Sequence, residues 1–98
     1  MKPIDFHPDA AEEAREAAQR YEEAREGLGL EFRDELAVVL RISENPQFYA
    51  AEDGAIRIGI LHRFPYGEYY EELEDRIWIA AVAHHHRRPG YWKSRRPD

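Results

Sequence analysis

The feature that most constrains this chain is a change in the spacing of its apolar residues near position 55. Before it, Ala10, Ala14, Ala17, Tyr21 and Ala24, and then Phe32, Leu36, Val39, Leu40 and Ser43, recur every three or four residues. That is the period of a helix with one packed stripe. After it, Ile56, Ile58 and Ile60 alternate with Arg57 and Gly59, the period of a strand. Helices gathered in the first half and strands in the second make an α+β fold. Neither layer holds enough apolar area to stand alone, so the helix pair is expected to cover one face of the sheet.

The punctuation between these runs sets the order. Ile4-Asp5-Phe6 reads as a short strand, and Pro8-Asp9 as the start of a helix, with Pro8 in the first turn and Glu12 and Glu13 near the positive end of the helix dipole. Gly27-Leu28-Gly29 breaks the first helical pattern. So short a break predicts two helices packed antiparallel as a hairpin. Asn45-Pro46 is expected to stop the second helix, because a residue before proline is pushed out of helical geometry. Gln47 to Gly54 reads as a loop. Strands follow at Ile56–Ile60, Tyr66–Tyr70 and Ile77–Ala83, with turns at His62–Pro65 and Glu72–Asp75, an antiparallel meander. The last strand is apolar on both faces and is expected to be the most covered. The predicted order is β-α-α-β-β-β, with a two-helix N-terminal hairpin on a curved antiparallel sheet. All 98 residues are expected to form one domain, 84–98 being a basic C-terminal extension.

Charge separates the two ends. The net charge is -6, which argues against a general nucleic-acid binder. Residues 1–50 hold six basic against twelve acidic residues, whereas residues 84–98 hold five basic against one acidic. An acidic body with a basic tail points to the tail as the place where an acidic or anionic partner is met. The chain has no cysteine, which excludes a disulfide framework and a thiolate zinc site. No apolar run approaches the roughly 20 residues of a membrane span, and no signal-peptide core follows Met1, so the expected location is the cytoplasm.

These residues carry a resemblance. Phe6-His7-Pro8-Asp9-Ala10, Tyr21-Glu22-Glu23, Gly27-Leu28-Gly29 before Phe32, and Glu44-Asn45-Pro46 appear in that order. Arg63-Phe64-Pro65-Tyr66, Tyr69-Tyr70, and the run from Ala81 through His84-His85-His86 to Tyr91-Trp92 complete the series. In order and spacing they resemble ParE-like toxins of the RelE/ParE superfamily, the plasmid-stabilisation type found in type II toxin–antitoxin systems. The resemblance implies two N-terminal helices on a curved sheet, and a growth-arresting toxin neutralised by a cognate antitoxin protein. It also implies one of two targets: DNA gyrase, which ParE-like members poison, or ribosome-bound mRNA, which RelE-like members cleave as endonucleases.

Aligned with the ribonuclease branch, His85 falls near the position of a catalytic arginine, Tyr91 near that of a tyrosine, and Arg63 near another basic position, with Arg87 close by. Cleavage through the RNA 2'-hydroxyl needs a base, positive charge on the phosphate and an acid, roles that such residues fill. The lysine-rich segment with which that branch grips ribosomal RNA is absent, since lysine occurs only at Lys2 and Lys93. That departure favours a gyrase-type target. No cofactor, no metal and no small-molecule ligand is expected.

The basic tail admits two readings. Arg87, Arg88, Lys93, Arg95 and Arg96 interleaved with Tyr91 and Trp92 look like a nucleic-acid or protein hot spot, and an acidic antitoxin suits a protein hot spot better. Alternatively, Tyr91 and Trp92 dock the tail on the core and the arginines are solvated. The histidine run admits three. If the strand continues, His84 and His86 share one face and permit a two-histidine metal site. Otherwise it is a charge-tuning surface at the strand end or part of a binding groove for antitoxin or target. Phe64, Tyr66, Tyr69 and Tyr70 read as turn and core residues in preference to an exposed aromatic platform.

Overall fold

The computed structural model describes residues 2–39, 49 and 51–97. It contains β1 (Ile4–Phe6), α1 (Pro8–Ala24), α2 (Leu28–Val39), β2 (Ala51–Asp53), β3 (Ile56–Ile60), β4 (Tyr66–Glu72) and β5 (Ile77–His84). The sequence order of helices and strands is the expected one, with the short β2 added in a segment read as loop. The expected stop at Asn45-Pro46 lies outside the described residues.

The five strands form one sheet in the order β1-β5-β4-β3-β2. From β2 to β5 it is an antiparallel meander. β1 differs: it pairs with β5 in parallel, Ile4 opposite Ile77 and Phe6 opposite Ile79. The sheet is therefore mixed, and the parallel pair needs the whole helix hairpin and meander as its crossover.

α1 begins where His7 turns its Nδ1 to accept the Asp9 N–H at 3.0 Å. The break between the helices is shorter than the glycine pattern predicts, because α2 already starts at Leu28. Glu22 explains this. Its carboxylate, in the last turn of α1, accepts from the N–H groups of Gly27 and Gly29 and so satisfies donors that a helix start leaves open. Gly27 supplies the left-handed turn with φ +88°.

The helices cover one face of the sheet. Ala10, Ala14, Ala17 and Ala18 of α1 and Phe32, Leu36 and Val39 of α2 pack with Tyr66, Tyr70, Ile77, Ile79 and Val82. Small residues on α1 let the layers approach closely, and Tyr21, Phe32, Phe64 and Tyr66 fill the wider end with ring centroids 4.8–6.1 Å apart. A bulge sets the face of each residue in β5. Tyr69 pairs with Ala81 and Tyr70 with Ile79, so Ala80 is the extra residue. Beyond it Val82 faces the helices, while Ala80 and Ala81 both face the other side, with Trp78. Residues 77–83 are all buried, as the doubly apolar strand predicts. No helix among the described residues is long and apolar enough to cross a membrane.

Candidate functional site

The second face of the sheet is covered by the C-terminal segment. Turns carried by the N–H groups of Lys93 and Arg95, bonded to the carbonyls of Gly90 and Trp92, curl residues 90–95 back over the sheet. Trp92 is 5 % exposed and packs with Trp78, Ala80 and Ala81, its ring 5.1 Å from that of Tyr69. Of the two readings of the basic tail, the docked one holds for Tyr91 and Trp92; Arg95, which that reading left solvated, docks with them. Large aromatic area outweighs the solvation of a segment this short.

Glu13 of α1 is the anchor. Its carboxylate accepts from the Val82 N–H (3.1 Å), the Tyr91 hydroxyl (2.8 Å) and two nitrogens of Arg95 (3.0 and 2.9 Å). Arg95 also donates to the carbonyl of Ala80 at 2.8 Å. β1 pairs with β5 only as far as Ile79, which leaves the rest of that strand edge without a ladder partner. The ion pair takes the place of the missing strand: a carboxylate receives the exposed N–H and a guanidinium fills the exposed carbonyl. Both side chains are largely buried, 15 % and 12 % exposed.

β5 ends at His84, and His85 and His86 belong to a turn, so the alternation that would put His84 and His86 on one strand face does not hold. Hydrogen bonds force the turn. The His85 N–H donates to the Pro65 carbonyl at 2.8 Å, and the His86 N–H to His84 Nδ1 at 3.0 Å. The His84 and His86 rings still meet, 5.1 Å apart. Among the described residues, no three histidine, aspartate or glutamate side chains are gathered as a metal site.

Of the residues aligned with the ribonuclease branch, Arg87 stacks on Tyr91, while Arg63 and Tyr91 are each held by a glutamate of a different helix. The His85–Pro65 bond brings His85 and the turn bearing Arg63 to one end of the sheet. The Arg63 guanidinium, however, is paired with Glu31 of α2, which raises its pKa above the usual arginine value. Tyr91 is held by Glu13 of α1; burial, and then the bond to that carboxylate, push its hydroxyl well above the ordinary tyrosine range. A tyrosine so placed holds its proton and is a poor general base. His85, His86, Arg87, Arg88, Lys93 and Arg96 are exposed.

Two of the predicted residues do share a cavity. His84 and Arg87 line a cleft of about 200 Å³ between α1 and the end of β5, together with Arg20 and Tyr66. Arg20 donates to the Tyr66 hydroxyl at 2.7 Å. The Arg87 guanidinium carbon lies 3.9 Å from the Tyr91 ring centroid, a cation–π contact that fixes it over the ring.

Three residues escaped the sequence reading. Glu13 and Arg20 sit in a charged helix whose pattern does not tell a solvated glutamate or arginine from an anchoring one. The third, Glu68, alternates with tyrosines on β4 and looks like a solvent-facing strand residue. It is instead fully buried on the helix-covered face opposite Val82, and among the described residues neither carboxylate oxygen has a hydrogen-bond partner. Burial pushes its pKa up to about 8.

No protein-family model matches the sequence, and no curated protein matches it. Among solved structures, a chain of the chromosomal ParDE TA system from P. aeruginosa has the same fold. The TM-score is 0.66 at 15% sequence identity, covering 86% of this chain and 96% of that chain.

Proposed function

We propose that this chain is the toxin component of a type II toxin–antitoxin system, held inactive in the cytoplasm by a cognate antitoxin and arresting growth by binding DNA gyrase or a similar target. The observation that carries this reading is the fold likeness, over 86% of this chain, to a chain of a ParDE system, joined to the engagement by glutamates of two groups that RNA cleavage would need. Arg63 is committed to Glu31 and Tyr91 to Glu13, on two different helices. A toxin that works by occupying its target needs neither group free for chemistry.

The antitoxin is expected to be acidic and to engage the end of β5 and the exposed cations of the C-terminal segment, Arg87, Arg88, Lys93 and Arg96. Charge steering of that kind weakens as salt rises. Co-expression decides the class. Production of this chain alone arrests growth, and co-production of a small acidic protein encoded beside it restores growth. In a supercoiling assay the purified chain inhibits gyrase. Unimpaired growth would instead support a non-toxic interaction module.

The ribonuclease alternative is supported by one observation, the bond that places His85 beside the turn carrying Arg63. It requires cleavage of mRNA on translating ribosomes and its loss in His85→Ala. Intact mRNA under those conditions eliminates it.

A further inference from the structure

The cleft between α1 and the end of β5 is built to take a single anion. Two guanidinium groups line it, and neither is neutralised by an acid. Arg20 uses one nitrogen on the Tyr66 hydroxyl, and Arg87 makes only its ring contact with Tyr91; among the described residues neither has a further hydrogen bond or an ion pair. His84 adds a third donor. Its Nδ1 accepts the His86 N–H, so a neutral ring carries its hydrogen on Nε2. Glu13, on the cleft wall, is already offset by Arg95, and Glu16 is the remaining acid. The local balance is cationic in a chain that is acidic as a whole.

The donors are preorganised. Arg87 lies on Tyr91, Tyr91 is fixed by Glu13, and Glu13 is fixed by Arg95 and the edge of β5. A planar guanidinium held in this way presents paired N–H groups to a carboxylate at little entropic cost. The surroundings favour a peptide over a nucleic acid. Glu16 lines the cleft and the chain as a whole is acidic, so a backbone of successive phosphates would be repelled where one carboxylate among neutral residues is not.

We propose that this cleft is a subsite for one aspartate or glutamate side chain of an extended acidic peptide, received by Arg87 and Arg20 with His84 donating alongside. The antitoxin reading supplies the source of the peptide, and the subsite rests on that reading.

The test is an NMR titration of the full chain, observing arginine side-chain and histidine ring signals. The probes are an acetylated Ala-Glu repeat octapeptide, its Ala-Gln counterpart and a uridine octanucleotide. The glutamate peptide shifts Arg20, Arg87 and His84, and the glutamine peptide does not. Arg87→Ala, at an exposed position that leaves the fold intact, weakens the glutamate peptide by about tenfold; Arg33→Ala on α2 leaves it unchanged. Equal shifts with the glutamine peptide, stronger binding of the oligonucleotide, or full affinity in the Arg20→Ala/Arg87→Ala double variant would each overturn the subsite. A neighbour-encoded acidic protein that binds the double variant as tightly as the parent chain overturns the subsite and leaves the antitoxin reading intact. If no complex and no growth arrest is seen, it is the antitoxin reading that fails, and the peptide titration then decides the subsite by itself.

Discussion

Glu13 and Arg95, 82 positions apart in sequence, meet through two charge-assisted bonds of 3.0 and 2.9 Å and together close the open edge of β5. One pair thus joins the first helix, the last strand and the C-terminal segment. Glu13→Ala leaves a buried guanidinium, the Val82 N–H and the Tyr91 hydroxyl without their acceptor. The expected loss is about 3 kcal/mol of stability, measured by urea unfolding. Hydrogen exchange at residues 91–97 rises by more than global unfolding accounts for, because the segment is released locally. Unchanged protection there would contradict the anchoring role.

Glu68 gives the fold an unusual dependence on pH. A carboxyl with an ordinary pKa of 4.5 rises to about 8 in the folded chain, because burial disfavours its charge. Below 4.5 both states hold the proton and Glu68 contributes no pH dependence. Between 4.5 and 8 the unfolded chain ionises while the folded chain does not, so stability falls as pH rises. Above 8 the penalty is complete. Glu68→Gln flattens this slope, and Glu68→Leu raises the melting temperature at pH 8 by at least about 5 °C. Calorimetry across this pH range checks both, and a melting temperature of the parent chain that climbs from pH 5 to pH 8 would reverse the argument.

The architecture was largely legible, and the reasons are local. Residues Ile56, Ile58 and Ile60 announce a strand through a period that packing leaves intact, and the alanine stripe of α1 announces a helix in the same way. What was not legible depends on partners distant in sequence. The parallel placement of β1 needs Ile77–Ile79 as its neighbour, and the early start of α2 needs the Glu22 carboxylate to reach forward to Gly27 and Gly29. At the candidate site, composition singled out His84, Arg87, Tyr91, Trp92 and Arg95. It did not reveal that Tyr91 and Arg95 serve Glu13 while Arg87 faces a cleft. Glu68 was hidden for a further reason: alternation identifies the two faces of a strand, and on β4 both are covered.

Gly27 and Gly29 make contrasting predictions. At Gly29 a Cβ would stand 2.6 Å from the Ala18 carbonyl oxygen on the backbone of α1. Gly29→Ala forces the helices apart and costs about 2 kcal/mol. At Gly27 a Cβ meets nothing within 4 Å, and the loss comes from φ +88° alone, about 1 kcal/mol. Chemical denaturation of the two variants separates crowding from backbone strain, and a larger loss at Gly27 would contradict the close approach of the helices.

Tyr91→Phe removes a hydroxyl and keeps the ring on which Arg87 rests. Stability is expected to fall by about 1 kcal/mol through the lost bond to Glu13. Growth arrest persists if the chain acts by binding, since no proton moves through that hydroxyl. A variant that folds, retains Arg87 in place and yet is harmless would favour the chemical reading.

The parallel pairing of Ile4–Phe6 with Ile77–Ile79 ties an early segment to a late one. Synthesis runs from the N-terminus, so β1 emerges from the ribosome long before its ladder partner is made, and Glu13 waits longer still for Arg95. During that interval the helix hairpin is exposed without its sheet. Maturation of the fold is thereby timed to the production of residues 77–95.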